Sequence, residues 1–125
     1  MQGAAATALK TLVVEDDPQE REAMRRALER AGFSVDCAGT AGAALIKLET
    51  GLIPAAAIID MRLPDAGGDI VLWRVRCRDP AIPIAVVTGI ANAAAHPELV
   101  RNPPDRLFTK PLDMDALIAW LLWVT

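Results

Sequence analysis

Four stretches of the chain run apolar and then stop on a chemically active residue. Leu12-Val13-Val14 ends on Glu15-Asp16-Asp17, and Ala55-Ala56-Ala57-Ile58-Ile59 ends on Asp60. Ile84-Ala85-Val86-Val87 ends on Thr88, and Leu107-Phe108-Thr109 ends on Lys110-Pro111. Unbroken apolar runs of this length suit strands covered on both faces, which is the signature of a parallel sheet between helical layers. The ends of parallel strands share one edge, and open α/β sheets bind their ligands along it. Carboxylates, a hydroxyl and an ammonium therefore converge on one edge.

Between these runs lie helix signals. Asp17-Pro18-Gln19-Glu20 reads as a helix start, with Asp17 as cap, Pro18 at the first position and Glu20 completing a capping box. Met24, Ala27, Leu28 and Ala31 follow at helical spacing, with Arg21, Arg25, Arg26 and Arg30 outward, and Gly32 supplies a left-handed end. A second strand over 34–38 precedes a helix capped by Thr40 and ended by Gly51. A helix over 69–78 stops at Asp79-Pro80, and a last helix is capped by Asp113. Strand and helix alternate without repeat or linker. Right-handed crossovers then give one three-layer domain.

Composition excludes several functions. At 125 residues the chain has room for a single core, and 53% hydrophobic residues rule out disorder. A net charge of −3, no Tyr and two Phe leave neither a basic patch nor stacking platforms for nucleic acid. No apolar run approaches the roughly 20 residues that span a bilayer. Met1 to Ala8 lacks the basic start of a signal peptide. Cys37 and Cys77 fit no metal or redox motif and read as reduced thiols of a cytoplasmic protein.

The edge residues suggest specific chemistry. Glu15 and Asp16 beside Asp60 supply the oxygen ligands that a hard cation such as Mg²⁺ takes, and a bound cation relieves their mutual repulsion. A carboxylate such as Asp60 can attack a phosphoryl group, while Lys110 and the Thr88 hydroxyl can hold its oxygens. Each residue alone has a plain reading as a cap, a turn residue or a solvated lysine. In this order, on one edge, they make a phosphorylation site.

These motifs resemble the receiver domain of bacterial two-component response regulators, the CheY-like, flavodoxin-like fold. The resemblance rests on Val13-Val14-Glu15-Asp16-Asp17-Pro18, Asp60-Met61-Arg62-Leu63-Pro64 with Gly68, Val87-Thr88-Gly89 and Lys110-Pro111, and covers about Leu9 to Val124. Spacings agree as well: 44 residues from Asp16 to Asp60, 28 on to Thr88 and 22 more to Lys110. It implies a five-stranded parallel sheet in the order 2-1-3-4-5 with helices on both faces, residues 9–125 forming the domain and 1–8 a flexible N-terminus.

By the same resemblance, Asp60 is the phosphoacceptor. Glu15, Asp16, Asp60 and the backbone carbonyl of Arg62 hold Mg²⁺. Thr88 and Lys110 contact the phosphoryl group, and the bond before Pro111 is cis. The donor is a histidine kinase or a histidine phosphotransfer protein, and the chain is no enzyme beyond Mg²⁺-dependent self-phosphorylation and autodephosphorylation. A degenerate receiver acting only as a protein-binding module is the alternative. An Asp-nucleophile phosphatase fits less well, because the acid/base Asp of such enzymes falls where Arg62 stands.

Two regions depart from the family pattern. Its aromatic switch residue falls at Leu107, and Phe108 next to it lies on the opposite strand face. His96-Pro97 and Asn102-Pro103-Pro104 interrupt the fourth helix, since an interior proline costs on the order of 3 kcal/mol. That helix is expected to be short, over 97–101, or irregular, with His96 solvated. The last helix is apolar nearly all round, with Trp120 and Trp123 suggesting a homodimer interface. No nucleic acid or membrane is an expected partner.

Overall fold

The structure is a computed structural model that describes residues 9–125. The flexibility expected of residues 1–8 lies outside the described residues. Five parallel strands, β1 (Lys10–Val14), β2 (Ser34–Ala38), β3 (Ala56–Asp60), β4 (Ile84–Thr88) and β5 (Arg106–Thr109), form one sheet in the order β2-β1-β3-β4-β5. The helices are α1 (Pro18–Arg30), α2 (Ala41–Glu49), α3 (Gly68–Arg78), α4 (Pro97–Arg101) and α5 (Met114–Val124). A single 3-10 turn over Ala93–Ala95 precedes α4.

Side chains that alternate along each strand divide the core into two layers. Leu12, Val14, Ile59, Ile84 and Val86 face α2, α3 and α4, packing against Leu48, Val71, Leu72, Val75 and Leu99. Val13, Ile58, Ala85, Val87 and Phe108 face α1 and α5, packing against Met24, Leu28, Leu117, Trp120 and Leu121. β1, β3 and β4 therefore carry apolar side chains on both faces up to their carboxyl ends, apart from Lys10 and Thr11 at the start of β1. Leu107 belongs to the first layer and Phe108 to the second.

Local chemistry sets the helix ends. Asp17 accepts from the Gln19 and Glu20 amides at 2.8 and 3.2 Å, Thr40 Oγ1 from Ala43 at 3.0 Å, and Asp113 from Ala116 at 3.1 Å. Gly32 and Gly51 close α1 and α2 with φ of 100° and 114°, a region where a side chain would be strained. The expected capping box does not form. The Asp17 amide donates instead to Glu15 Oε2 at 3.2 Å, and the Glu20 side chain turns toward Lys110.

The segment around α4 follows its prolines. Pro97 occupies the first turn, α4 has five residues, and Leu99 is its buried anchor. His96 pairs with Glu98 through Nδ1 and Oε2 instead of standing free in solvent. A clamp below the sheet fixes the return to β5. Asp105 Oδ2 accepts from the Ile84 amide at 2.7 Å and from Arg76 Nη2 at 3.2 Å, while Arg76 also reaches the carbonyls of Ile82 and Pro103, each at 3.1 Å.

In α5, Leu117 and Leu121 are fully buried, and Trp120 is 9% exposed with its ring edge-on to Phe108 at 6.3 Å. Trp120 is therefore a core residue, which corrects its assignment to an interface. Trp123 is 85% exposed and Leu122 59%, so the unpaired apolar surface of α5 is theirs. No helix among the described residues is long and apolar enough to cross a membrane.

Candidate functional site at the carboxyl edge of the sheet

The register aligns the strand ends. Val14 pairs with Ile59, Asp60 with Val87, and Thr88 with Thr109, so Glu15, Asp60, Thr88 and Lys110 fall along one edge. The Glu15 amide continues the ladder to the Ala38 carbonyl at 3.0 Å, which places its side chain at the strand end. After Asp60 the chain folds back tightly. The Gly68 amide donates to the Met61 carbonyl at 2.9 Å, and Arg62 bridges to Gly67. A Cβ on Gly68 would stand 2.0 Å from the Asp60 carbonyl oxygen, so only glycine permits this closure.

Carboxylate oxygens of Glu15, Asp16 and Asp60 come within 4.8 Å of one another. Asp16 is exposed, whereas the Glu15 and Asp60 side chains keep only 3% and 7% of their surface. Lys110 Nζ lies 3.0 Å from Asp60 Oδ2, 3.1 Å from Glu15 Oε1 and 3.2 Å from Glu20 Oε1. Asp60 Oδ1 accepts from the Arg62 amide at 3.0 Å. Thr88 is buried on β4, one residue past the partner of Asp60, and its Oγ1 accepts from the Ile90 amide at 3.1 Å. The Lys110–Pro111 peptide bond is cis.

The electrostatics follow from this crowding. Burial pushes the Glu15 carboxyl up to about 7, and the neighbouring Asp60 charge pushes the same way. Hydrogen bonds from the Asp17 amide and Lys110 offset part of the rise. Burial by itself would lower the Lys110 ammonium, but hydrogen bonds to Asp60, Glu15 and Glu20 outweigh it and hold its pKa above the ordinary value. Three crowded carboxylates that share one lysine are short of positive charge. Its donor set fits a divalent cation such as Mg²⁺, with Glu15, Asp16 and Asp60 as the available carboxylates.

Three residues that position the site were not recognised from the pattern. Arg21, expected outward, bends back so that Nη1 donates to the carbonyls of Glu15 at 2.9 Å and Asp16 at 3.3 Å. Gly39 leaves room for it, since a Cβ there would lie 3.0 Å from that nitrogen. Asp65, in the loop after Asp60, accepts from the Ala41 and Gly42 amides at 2.9 and 2.8 Å and so ties the loop to the start of α2. These two bonds lower its pKa. Glu20 is the third.

Fold and site together define a small α/β signalling module whose working region is the acidic carboxyl edge of an open parallel sheet. The chain belongs to the response regulator receiver domain family, whose model matches residues 11–122. It is 32% identical over 111 residues to the acid tolerance regulatory protein ActR of Rhizobium meliloti, covering 89% of this chain and 57% of that protein. It is 34% identical over 113 residues to the photosynthetic apparatus regulatory protein RegA of Rhodobacter capsulatus, covering 89% and 60%. The chain thus spans little more than half the length of these relatives.

Among solved structures, a CheY-like receiver domain protein of Methanospirillum hungatei superimposes with a TM-score of 0.84 at 27% identity, over 93% of this chain and 92% of that one. The response regulator TrrA of Thermotoga maritima, solved in complex with Mg²⁺-BeF, gives a TM-score of 0.82 at 23% identity over 94% and 99%. The second likeness speaks to the fold alone.

Proposed function

We propose that this receiver domain accepts a phosphoryl group on Asp60 from a histidine kinase or a histidine phosphotransfer protein. The observation that carries the reading is the meeting of three carboxylates and Lys110 at aligned strand ends. A carboxylate oxygen of Asp60 bonds to phosphorus while the bond from phosphorus to the donor imidazole nitrogen breaks, and the electron pair stays on that nitrogen. Lys110 exchanges a carboxylate contact for a phosphoryl oxygen, and the Thr88 hydroxyl, on the adjoining strand, donates to another. Glu15, Asp16, Asp60 and the Arg62 carbonyl would hold Mg²⁺, which would supply neutralisation of the charge that builds on the phosphoryl oxygens.

An apolar groove of about 550 Å³ lies beside Lys110, between α1 and the start of α5, with Ala23, Met24, Pro111, Leu112 and Met114 in its walls. It is where a helix of the donor protein docks. Arg62 follows Asp60 by two residues and has no carboxyl to act as an acid or base, so the chain turns over no external phosphomonoester. Its chemistry ends at self-phosphorylation and hydrolysis of its own acyl phosphate. Its setting is the cytoplasm, in keeping with two unpaired thiols, Cys37 and Cys77.

Incubation with acetyl phosphate and MgCl₂, followed by intact-mass measurement, tests the reading. One phosphoryl group is expected on the wild-type chain, lost on treatment with hydroxylamine and absent from Asp60→Asn. Modification that persists in Asp60→Asn would overturn it.

A further inference from the structure

The ammonium of Lys110 has three N–H donors. In this structure three carboxylates surround it: Asp60 at 3.0 Å and Glu15 at 3.1 Å accept hydrogen bonds from it, and Glu20 at 3.2 Å closes its third side as an ion pair. A phosphoryl oxygen that arrives on Asp60 competes with these three for the ammonium. Asp60 is the acceptor itself, and Glu15 is buried on a strand end with its second oxygen fixed by the Asp17 amide. Glu20 differs from both. Its side chain is 52% exposed, it stands on the first turn of α1, and a rotation about its own bonds carries it into water.

Position adds a second argument. Glu20 lines the α1–α5 groove together with Lys110, whose ammonium bonds to Asp60. A free phosphodonor comes as an anion. It meets a fixed negative charge before it meets the lysine, and that lysine is already neutralised by three carboxylates.

We propose that Glu20 is a specificity-determining gate that pairs with the exposed side of Lys110 and discriminates against small, highly charged phosphodonors. The inference rests on the reading of Asp60 as phosphoacceptor. Glu20 leaves when the phosphoryl group arrives, and its departure costs little because it is solvated. An exposed charge of this kind changes an encounter by a small factor and fades with added salt.

The test compares phosphorylation rates of wild type, Glu20→Ala and Glu20→Gln with acetyl phosphate, a dianion near neutral pH, and with phosphoramidate, a monoanion. Both variants are expected to react about two- to fivefold faster with acetyl phosphate at low ionic strength. The gain should be smaller with phosphoramidate and smaller again in 0.5 M salt. The two variants guard against a local folding artefact, since Gln keeps the size and Ala does not. Unchanged acetyl phosphate rates in both, with Asp60-dependent labelling intact, would overturn the gate and leave the phosphoacceptor reading standing. Loss of all Asp60-dependent labelling in the wild type would remove that reading and the gate with it.

Discussion

The corner formed by Glu15, Asp60 and Lys110 and the segment from Gly89 to Asp105 belong to one domain, yet they are held in opposite ways. At the corner the backbone is tied on both sides of Asp60 and at the end of β1. Arg21 ties the carbonyls of Glu15 and Asp16, and the Met61–Gly68 and Arg62–Gly67 contacts close the loop after Asp60. Around α4 the chain has five helical residues starting at Pro97, two buried residues in Ala93 and Leu99, and an open cleft of about 250 Å³ beside Leu107. Group transfer demands fixed atoms, whereas a segment with few buried contacts opens at low free energy. The contrast shows which part of this receiver is built to hold a geometry and which part is free to change it.

The largest expected effect is at the corner. Gly68→Ala forces a Cβ against the Asp60 carbonyl and should lower stability by about 3 kcal/mol, with loss of phosphorylation, as read by denaturant titration and intact mass. A Gly68→Ala chain as stable as the wild type would show that the loop is not over-determined. Leu99→Ala should cost about 2–3 kcal/mol if α4 unfolds with the rest of the core. Hydrogen exchange should locate that loss in residues 93–104 first, and a uniform loss would erase the contrast.

Asp105→Ala leaves the buried end of the Ile84 amide without its side-chain acceptor and should cost about 1–2 kcal/mol, with faster exchange of that amide. Asp65 gives a smaller effect that depends on pH. Its folded pKa lies below the ordinary 3.8, so the stability it lends is complete above that value and is lost as pH falls through the folded value. Asp65→Ala should flatten the acid limb of a stability–pH curve below pH 4 and leave the neutral region's slope unchanged. Trp123→Ala, at a residue 85% exposed, should move stability by less than about 0.5 kcal/mol, and only a second copy of the chain packed on α5 would make it larger.

Much of the site was legible because strand ends have one geometry. A parallel sheet fixes where Glu15, Asp60, Thr88 and Lys110 lie as soon as the strands are recognised, and the prolines at 97, 103 and 104 limit α4 to what was found. What escaped depends on side-chain torsions. The four arginines of α1 look alike in sequence, and the space left by Gly39 gives Arg21 room to fold inward. Glu20 has the spacing of a capping box and also the reach to Lys110, and the ammonium is the stronger partner. Trp120 and Trp123 were separable in principle. Residues 117, 120, 121 and 124 follow helical spacing along one face and 123 does not, but an almost wholly apolar helix masks its own period.

The packing of Trp120 has an optical consequence. Its ring lies edge-on to Phe108, which stands on β5 two residues before Lys110. Trp73 and Trp123, in contrast, are 55% and 85% exposed. Acrylamide or iodide should therefore quench the red-emitting pair and spare Trp120, leaving one blue-shifted fluorophore in the core. A rearrangement of Lys110 that pulls on β5 should alter that residual emission, so the chain carries its own reporter of the site with no label added.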